Sequence, residues 1–239
     1  MRMIGLIGGM SFESSAVYYR LINEAVRARL GGLASAEIAL RSVNFAEIVG
    51  YQTSGRWDLA EKALCNAAIG LEKAGAECML ICTNTMHLVA DKVAAATPAP
   101  LIHIVDETAA AIKSAGLRRP LLLATRYTME HGFYTERMQS LGLAPMVPDA
   151  ADRQIVHDVI FQELCAGEVK ETSRTAYLAI IDKAKAAGAD CVILGCTEIC
   201  LLLDPDQLCL PGFDSTRIHC QAAVDFALAG EILPISKVA

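Results

Sequence analysis

The chain has 239 residues, 54% of them hydrophobic and 20% charged, and a formal net charge of −6. That balance excludes a disordered or highly solvated chain, and the length suits one large α/β domain or two small ones. No lysine and arginine cluster supplies the electrostatic footprint of a nucleic-acid binder, so small polar molecules are the expected partners.

In chain order, residues 3–7 form a short apolar run that passes straight into Ser11-Phe12-Glu13-Ser14, too short for a leader, and read as a first strand. An amphipathic helix over 13–30 follows, then a strand over 38–43, a helix over 56–74 and strands over 79–81 and 101–105. Beyond them come a helix over 107–115, a strand over 121–124, a helix over 129–141 and a strand over 144–147. Helices over 151–166 and 173–187 precede strands over 192–194 and 208–210. The strands carry almost no polar residues, as parallel strands do when helices cover both faces. The alternation therefore predicts βαβ units. No run approaches the roughly 20 apolar residues of a membrane span. The nine cysteines lie scattered in apolar segments, which predicts free thiols in a reducing cytoplasm and no disulfide framework.

The segment from Ala74 to Ile81, Ala-Gly-Ala-Glu-Cys-Met-Leu-Ile, returns 113 residues later as Ala187 to Leu194, Ala-Gly-Ala-Asp-Cys-Val-Ile-Leu. Helix end, turn and strand recur together, the mark of an internal duplication. The expected division is 1–117 plus 216–239 for a first α/β domain, with a C-terminal helix returning to it, and 118–215 for a second.

Each repeated strand ends in a polar switch, Cys82-Thr83-Asn84-Thr85-Met86-His87 in the first half and Gly195-Cys196-Thr197-Glu198-Ile199 in the second. Open α/β sheets bind ligands at such strand ends. Hydroxyl, amide and backbone N–H groups there suit a carboxylate, and a following helix N-terminus is expected to hold Cys196 as a thiolate. Glu198 could orient or deprotonate Cys196, and His87, at helical spacing after Thr83, could polarise the first motif or bond within its own domain. Gly5-Leu6-Ile7-Gly8-Gly9-Met10 lacks the spacing of a dinucleotide fingerprint, and no C-x₂-C pair supports structural zinc.

With these motifs the sequence resembles the aspartate/glutamate racemase superfamily, nearest to the bacterial aspartate/glutamate or broad-specificity amino-acid racemases. The likeness extends through Ile4 to Ser11, Thr125-Arg126-Tyr127-Thr128-Met129 and Phe213-Asp214-Ser215-Thr216. It implies two pseudo-symmetric α/β domains, each a short parallel sheet flanked by helices, with the active site in the interdomain cleft. It implies a homodimer acting on a small amino acid without pyridoxal phosphate, metal or any other cofactor. A thiol on each face of Cα then moves the proton, so Cys196 is one expected catalytic residue. The 113-residue offset puts Thr83, not a cysteine, opposite Cys196, and Cys82 is one residue out of register. Neighbouring side chains on a strand face opposite ways, so Thr83 is preferred as the second catalytic residue and Cys82 is its alternative. Met10, Ser11, Gln52, Asn84, Thr85, Thr125 and Thr197 are expected to bind substrate, supported by His87 and Glu198. Gln52 and Cys165 stand where aspartate-selective relatives carry cationic side chains, which predicts acidic or small polar substrates over a broader range. The alternatives are a carboxylate-binding protein with a degenerate racemase site, and a related isomerase or decarboxylase of the same superfamily.

Overall fold

The computed structural model describes residues 1–230, and they divide into two units, 1–103 with 219–230, and 104–218. The first unit runs β1 (Ile4–Gly8), α1 (Phe12–Leu30), β2 (Ile38–Ser42), α2 (Phe45–Thr53), α3 (Trp57–Lys73), β3 (Cys78–Ile81), a 3-10 turn (Thr85–Val89) and α4 (Ala90–Ala95). The second runs α5 (Ile104–Ser114), β4 (Pro120–Leu123), α6 (Arg126–Glu130), α7 (Phe133–Ser140), α8 (Ala150–Asp158), a π turn (Val159–Glu163) and a 3-10 turn (Leu164–Ala166). It continues with α9 (Glu171–Ala186), β5 (Cys191–Leu194), α10 (Ile199–Leu202) and β6 (Gly212–Asp214), and α11 (Ser215–Leu228) carries the chain into the first unit.

Each unit holds a three-stranded sheet of parallel strands, ordered β2-β1-β3 in the first and β4-β5-β6 in the second. In the first, Ile4, Leu6 and Leu80 pack with Tyr18, Ile22 and Val26 of α1 and Ala223 and Val224 of α11. Ile7, Met79 and Ile81 belong to a separate cluster with Leu64, Ala68 and Leu71 of α3. The period-2 side-chain alternation of β1 thus feeds two cores, which is why its sequence has no polar face. In the second unit Leu121–Leu123 and Val192–Leu194 share one core with Val105, Ala109, Ile112, Tyr134, Tyr177 and Ile181.

The duplication is visible in hydrogen bonds. Gly75 (φ +99°) and Gly188 (φ +95°) turn the chain at the ends of α3 and α9, a left-handed position that suits glycine. The next residue closes the same bond back to the helix each time, Ala76 N–H to Leu71 O at 3.0 Å and Ala189 N–H to Ala184 O at 2.9 Å.

Several sequence expectations need correction. The strands placed at 101–105 and 144–147 shrink to single bridges, Leu101 on Met79 and Met146 on Leu121. Pro98, Pro100, Pro145 and Pro148 flank them, and proline has no N–H to extend a ladder. The last strand is β6, not 208–210, and Val192 N–H reaches Pro211 O as Met79 N–H reaches Pro100 O. Gly132, at φ +78°, divides the helix expected over 129–141, and α2 stands where no element was expected. The first domain was expected to reach residue 117, but α5 falls in the second unit because Val105, Ala109 and Ile112 pack with β4 and β5. Residues 216–218 also fall in the second unit, and the part of the expected first domain at 231–239 lies outside the described residues. No helix among the described residues is long and apolar enough to cross a membrane.

Candidate functional site

In the first unit the chain leaves β3 through Cys82 and Thr83. Cys82 N–H donates to Ile7 O (3.0 Å), and Ser14 Oγ of α1 donates to Cys82 O (2.8 Å). Held this way, the Cys82 side chain is 0% exposed among Ile4, Leu6, Tyr18 and Leu80. Burial pushes its thiol far above the ordinary range. Thr83 is half-buried, and its carbonyl accepts from His87 Nδ1 at 2.9 Å. Asn84 is buried and Thr85 half-buried at the start of the 3-10 turn. Ser11 caps α1, accepting from Ser14 N–H at 3.1 Å, and the Met10 side chain packs into the core with Met86. Gln52 is a residue of α2, not of a loop, and its amide lies 3.1 Å from Met86 Sδ.

Behind Thr83 lies a feature sequence reasoning missed. His87, His103 and His219 are all buried, with the His87 ring 4.7 Å from His103 and 5.6 Å from His219. His219 Nε2 lies 2.8 Å from Ile102 O, a group that only accepts, so Nε2 carries the proton. Nδ1 of the neutral ring then accepts from Tyr18 O–H at 2.9 Å. Burial, with the neighbouring His87, holds His219 down to about 3. The chain has five histidines, and of this cluster only His87, at the end of Cys82-Thr83-Asn84-Thr85-Met86-His87, carried a local signal in the sequence.

In the second unit β5 ends at Leu194, and Gly195 N–H donates to Leu123 O at 2.7 Å. A Cβ on Gly195 would come within 3.0 Å of Ala124 Cβ and 3.1 Å of Leu123 O, so glycine lets the neighbouring strand ends close up. Cys196 follows, partly buried, with Sγ donating to Glu198 Oε2 at 2.8 Å, and Thr197 Oγ1 donates to the same oxygen at 2.6 Å. Thr125, at the end of β4, caps α6, and Cys165 is exposed within electrostatic reach of Cys196.

The expectation of a thiolate at Cys196 is overturned. Burial, with the Glu198 carboxylate next in weight, raises the thiol well above its ordinary value. The helix that was to stabilise the anion, α10, has four residues and receives no side-chain cap from Glu198, so its dipole is small. The resting state is a thiol hydrogen-bonded to the Glu198 carboxylate.

Two units, each with a parallel sheet in which a fully buried strand, β3 or β5, runs out into a polar turn, define a duplicated α/β protein of the racemase type. The chain belongs to the Asp/Glu/Hydantoin racemase family, whose sequence profile matches residues 7–223. It is 51% identical to a Yersinia pestis protein provisionally assigned as an Asp/Glu racemase, with a TM-score of 0.91, over 95% of this chain and 100% of that one. It is 35% identical to an aspartate racemase homologue from Pyrococcus horikoshii OT3, with a TM-score of 0.86, over 95% of this chain and 99% of that one. The broad specificity amino-acid racemase RacX of Bacillus subtilis (strain 168) is 23% identical over 238 residues, 95% of this chain and 99% of RacX.

Two outcomes follow from these environments. Glu198→Gln removes the charge but not the burial, so the pH midpoint for alkylation of Cys196 should fall yet stay above the ordinary thiol range, as peptide mass spectrometry after iodoacetamide treatment would show. His219 is neutral when folded and titrates near 6.5 when unfolded, so its contribution to stability is complete above pH 6.5 and is lost as pH falls towards 3. Urea melts should show about 2 kcal/mol of this loss by pH 5, and His219→Gln should be less stable but lack that component of the slope.

Proposed function

We propose that this protein is an amino-acid racemase of the cytoplasm, inverting Cα of acidic or small polar amino acids without a cofactor. The observation that carries the reading is the Cys196–Glu198 pair at the end of β5, 2.8 Å apart. Glu198 accepts the thiol proton, and the Cys196 thiolate then takes the α-proton of the substrate, leaving a planar carbanion. Backbone N–H and hydroxyl groups of Ser11, Asn84, Thr85, Thr125 and Thr197 hold the substrate carboxylate. The opposite face of Cα is protonated by the Thr83 hydroxyl, which is replenished from water. Cys82 is not assigned this step, because its thiol is in the core. Gln52 and Cys165 leave the side-chain end of the substrate without a cation, which supports a range broader than aspartate and glutamate. The nine free cysteines suit a reducing compartment.

The deciding experiment is chiral chromatography after incubation with a panel of amino acids, followed by α-hydrogen exchange in deuterium oxide. Cys196→Ser should abolish both racemisation and exchange with the circular dichroism spectrum unchanged, and near-normal turnover would sink the assignment. The second reading, a carboxylate-binding protein, draws on Thr83 standing where a second thiol was expected; a binder gives saturable binding and no exchange.

The asymmetry of the pair has its own signature. Enantiomers have equal free energy, so kcat/KM must be equal in the two directions and cannot report it. If Cys196 faces the α-proton of the L-enantiomer, as the resemblance implies, L-substrate should exchange deuterium faster than it inverts. D-substrate should exchange no faster than it inverts. Thr83→Cys should raise inversion relative to exchange, and Cys82→Ala should leave both nearly intact; a Cys82→Ala loss as severe as that of Cys196→Ser would refute the assignment of Thr83.

A further inference from the structure

Two adjacent serines, Ser14 and Ser15, stand buried in the first turn of α1. A hydroxyl taken out of water costs free energy unless hydrogen bonds offset the loss, and here the two make their bonds in different directions. Ser14 acts on the end of β3. Thr83 N–H closes on Ile81 O at 2.8 Å, a three-residue turn centred on Cys82, and Ser14 Oγ donates to Cys82 O at 2.8 Å. Both ends of the peptide between Cys82 and Thr83 are therefore bound. The next peptide is held at its carbonyl by His87 Nδ1, 2.9 Å from Thr83 O. With the peptide plane on each side fixed, Thr83 keeps one φ/ψ pair, and the direction in which its side chain leaves the backbone is fixed with it.

Ser15 acts on the end of β1. Its Oγ accepts from Gly9 N–H at 2.8 Å and donates to Ser11 O at 2.9 Å, so one hydroxyl spans the Gly9-Met10-Ser11 turn from the inside. The turn has no slack: a Cβ on Gly8 would lie 2.6 Å from Ser15 Oγ, and one on Gly9, at φ +89°, would strike the backbone of Val43. The second unit has a related start, with Thr125 capping α6 and a buried hydroxyl, Thr128, three residues past the cap as Ser14 is past Ser11. There the hydroxyl lies 3.1 Å from the cap, Thr125 Oγ1. Ser14 reaches across to the neighbouring strand instead, in the half that offers a hydroxyl where the other offers a thiol.

We propose, resting on the racemase reading above, that Ser14 and Ser15 are separate positioning residues: Ser14 aims the Thr83 hydroxyl for the second proton transfer, and Ser15 sets Ser11 for the substrate carboxylate. Neither serine touches substrate, because each hydroxyl donates its proton within the first unit. Their effects divide because the partners differ. Without Ser14 Oγ the Cys82 carbonyl is released and the peptide ahead of Thr83 can rotate, while the Gly9-Met10-Ser11 turn keeps both bonds to Ser15. Without Ser15 Oγ the buried Gly9 N–H loses its acceptor and Ser11 shifts, while the bonds on either side of Thr83 remain.

The test compares Ser14→Ala and Ser15→Ala in the full chain, reading KM and kcat for inversion of an L-amino acid that the wild type turns over, and its α-hydrogen exchange in deuterium oxide. Ser14→Ala should slow inversion roughly tenfold while KM and exchange stay within about twofold, because only the Thr83 step loses its aim. Ser15→Ala should raise KM roughly tenfold and lower exchange and inversion together at low substrate, because both need the carboxylate held. Ser14→Thr, which keeps the hydroxyl, should return inversion to within about threefold of wild type. Backbone amide exchange followed by peptide mass spectrometry needs no turnover: Ser14→Ala should quicken it over residues 82–85 and Ser15→Ala over residues 9–11. Equal kinetic losses in the two alanine variants, or lowered melting temperatures with no change in the KM-against-kcat split or the exchange-to-inversion ratio, overturn the proposal and leave the racemase reading standing. A wild type that neither inverts nor exchanges any amino acid overturns that reading and the assigned roles with it, whereas unaltered amide exchange at both turns overturns the positioning itself.

Discussion

Burial of β1, β3, β4 and β5 on both faces is the constraint from which the rest of the structure follows. A strand with no solvent face has room for polar chemistry only where it stops, and its hydrogen-bonded neighbours bring several chain ends to that place. The polar residues with a proposed role accordingly sit in the first few positions past a strand: Ser11 after β1, Thr83 to Thr85 after β3, Thr125 after β4, and Cys196 to Glu198 after β5. The carboxylate that partners the thiol is two residues further along the same chain, so no distant element has to place it.

The two halves reuse one backbone for different chemistry. After β3 the side chain that would match Cys196 is a hydroxyl, and the nearby titratable group, His87, is spent on the carbonyl of Thr83. After β5 the matching side chain is a thiol, and its acidic neighbour bonds to the thiol itself. The first strand end carries a hydroxyl backed by a buried histidine cluster in which His219 is neutral, whereas the second carries a thiol hydrogen-bonded to a carboxylate. Duplication supplied the frame, and under the proposed function single residues at 83 and 196 set the division of labour.

The four buried strands, and the Ala-Gly-Ala turn that repeats ahead of β3 and β5, were legible in the sequence because apolar runs and positive-φ glycines are local signals. What escaped was set by partners. Leu101 and Met146 read as strands because their neighbours are apolar, but the flanking prolines limit each to one bridge. β6 was missed because its residues, Gly212-Phe213-Asp214, do not look like a strand until Val192 N–H binds Pro211 O beside them. The histidine cluster draws on positions 87, 103 and 219, a separation that periodicity cannot detect. The charge state of Cys196 was misread for a related reason: helix polarity is visible in sequence, whereas the rotamer that brings Glu198 Oε2 to Sγ is not.

A thiol beside a carboxylate is not rare in this chain, so proximity alone does not single out Cys196. Cys209 donates to Asp182 at 3.1 Å, and burial, with Asp190 and Asp214 next in weight, raises Cys191 and Cys200. Cys191 is enclosed at the start of β5, where no small molecule can reach it, and Cys209 is exposed, where water competes for the proton. Cys200 lies in α10, past the turn. Cys196 combines partial burial, which strengthens its hydrogen bond to Glu198, with a place at the end of a central strand beside the hydroxyl of Thr197. Place at a strand end together with partial exposure, more than the strength of any one contact, is what separates this thiol from the other eight, Cys82 included, which ends β3 but is fully buried.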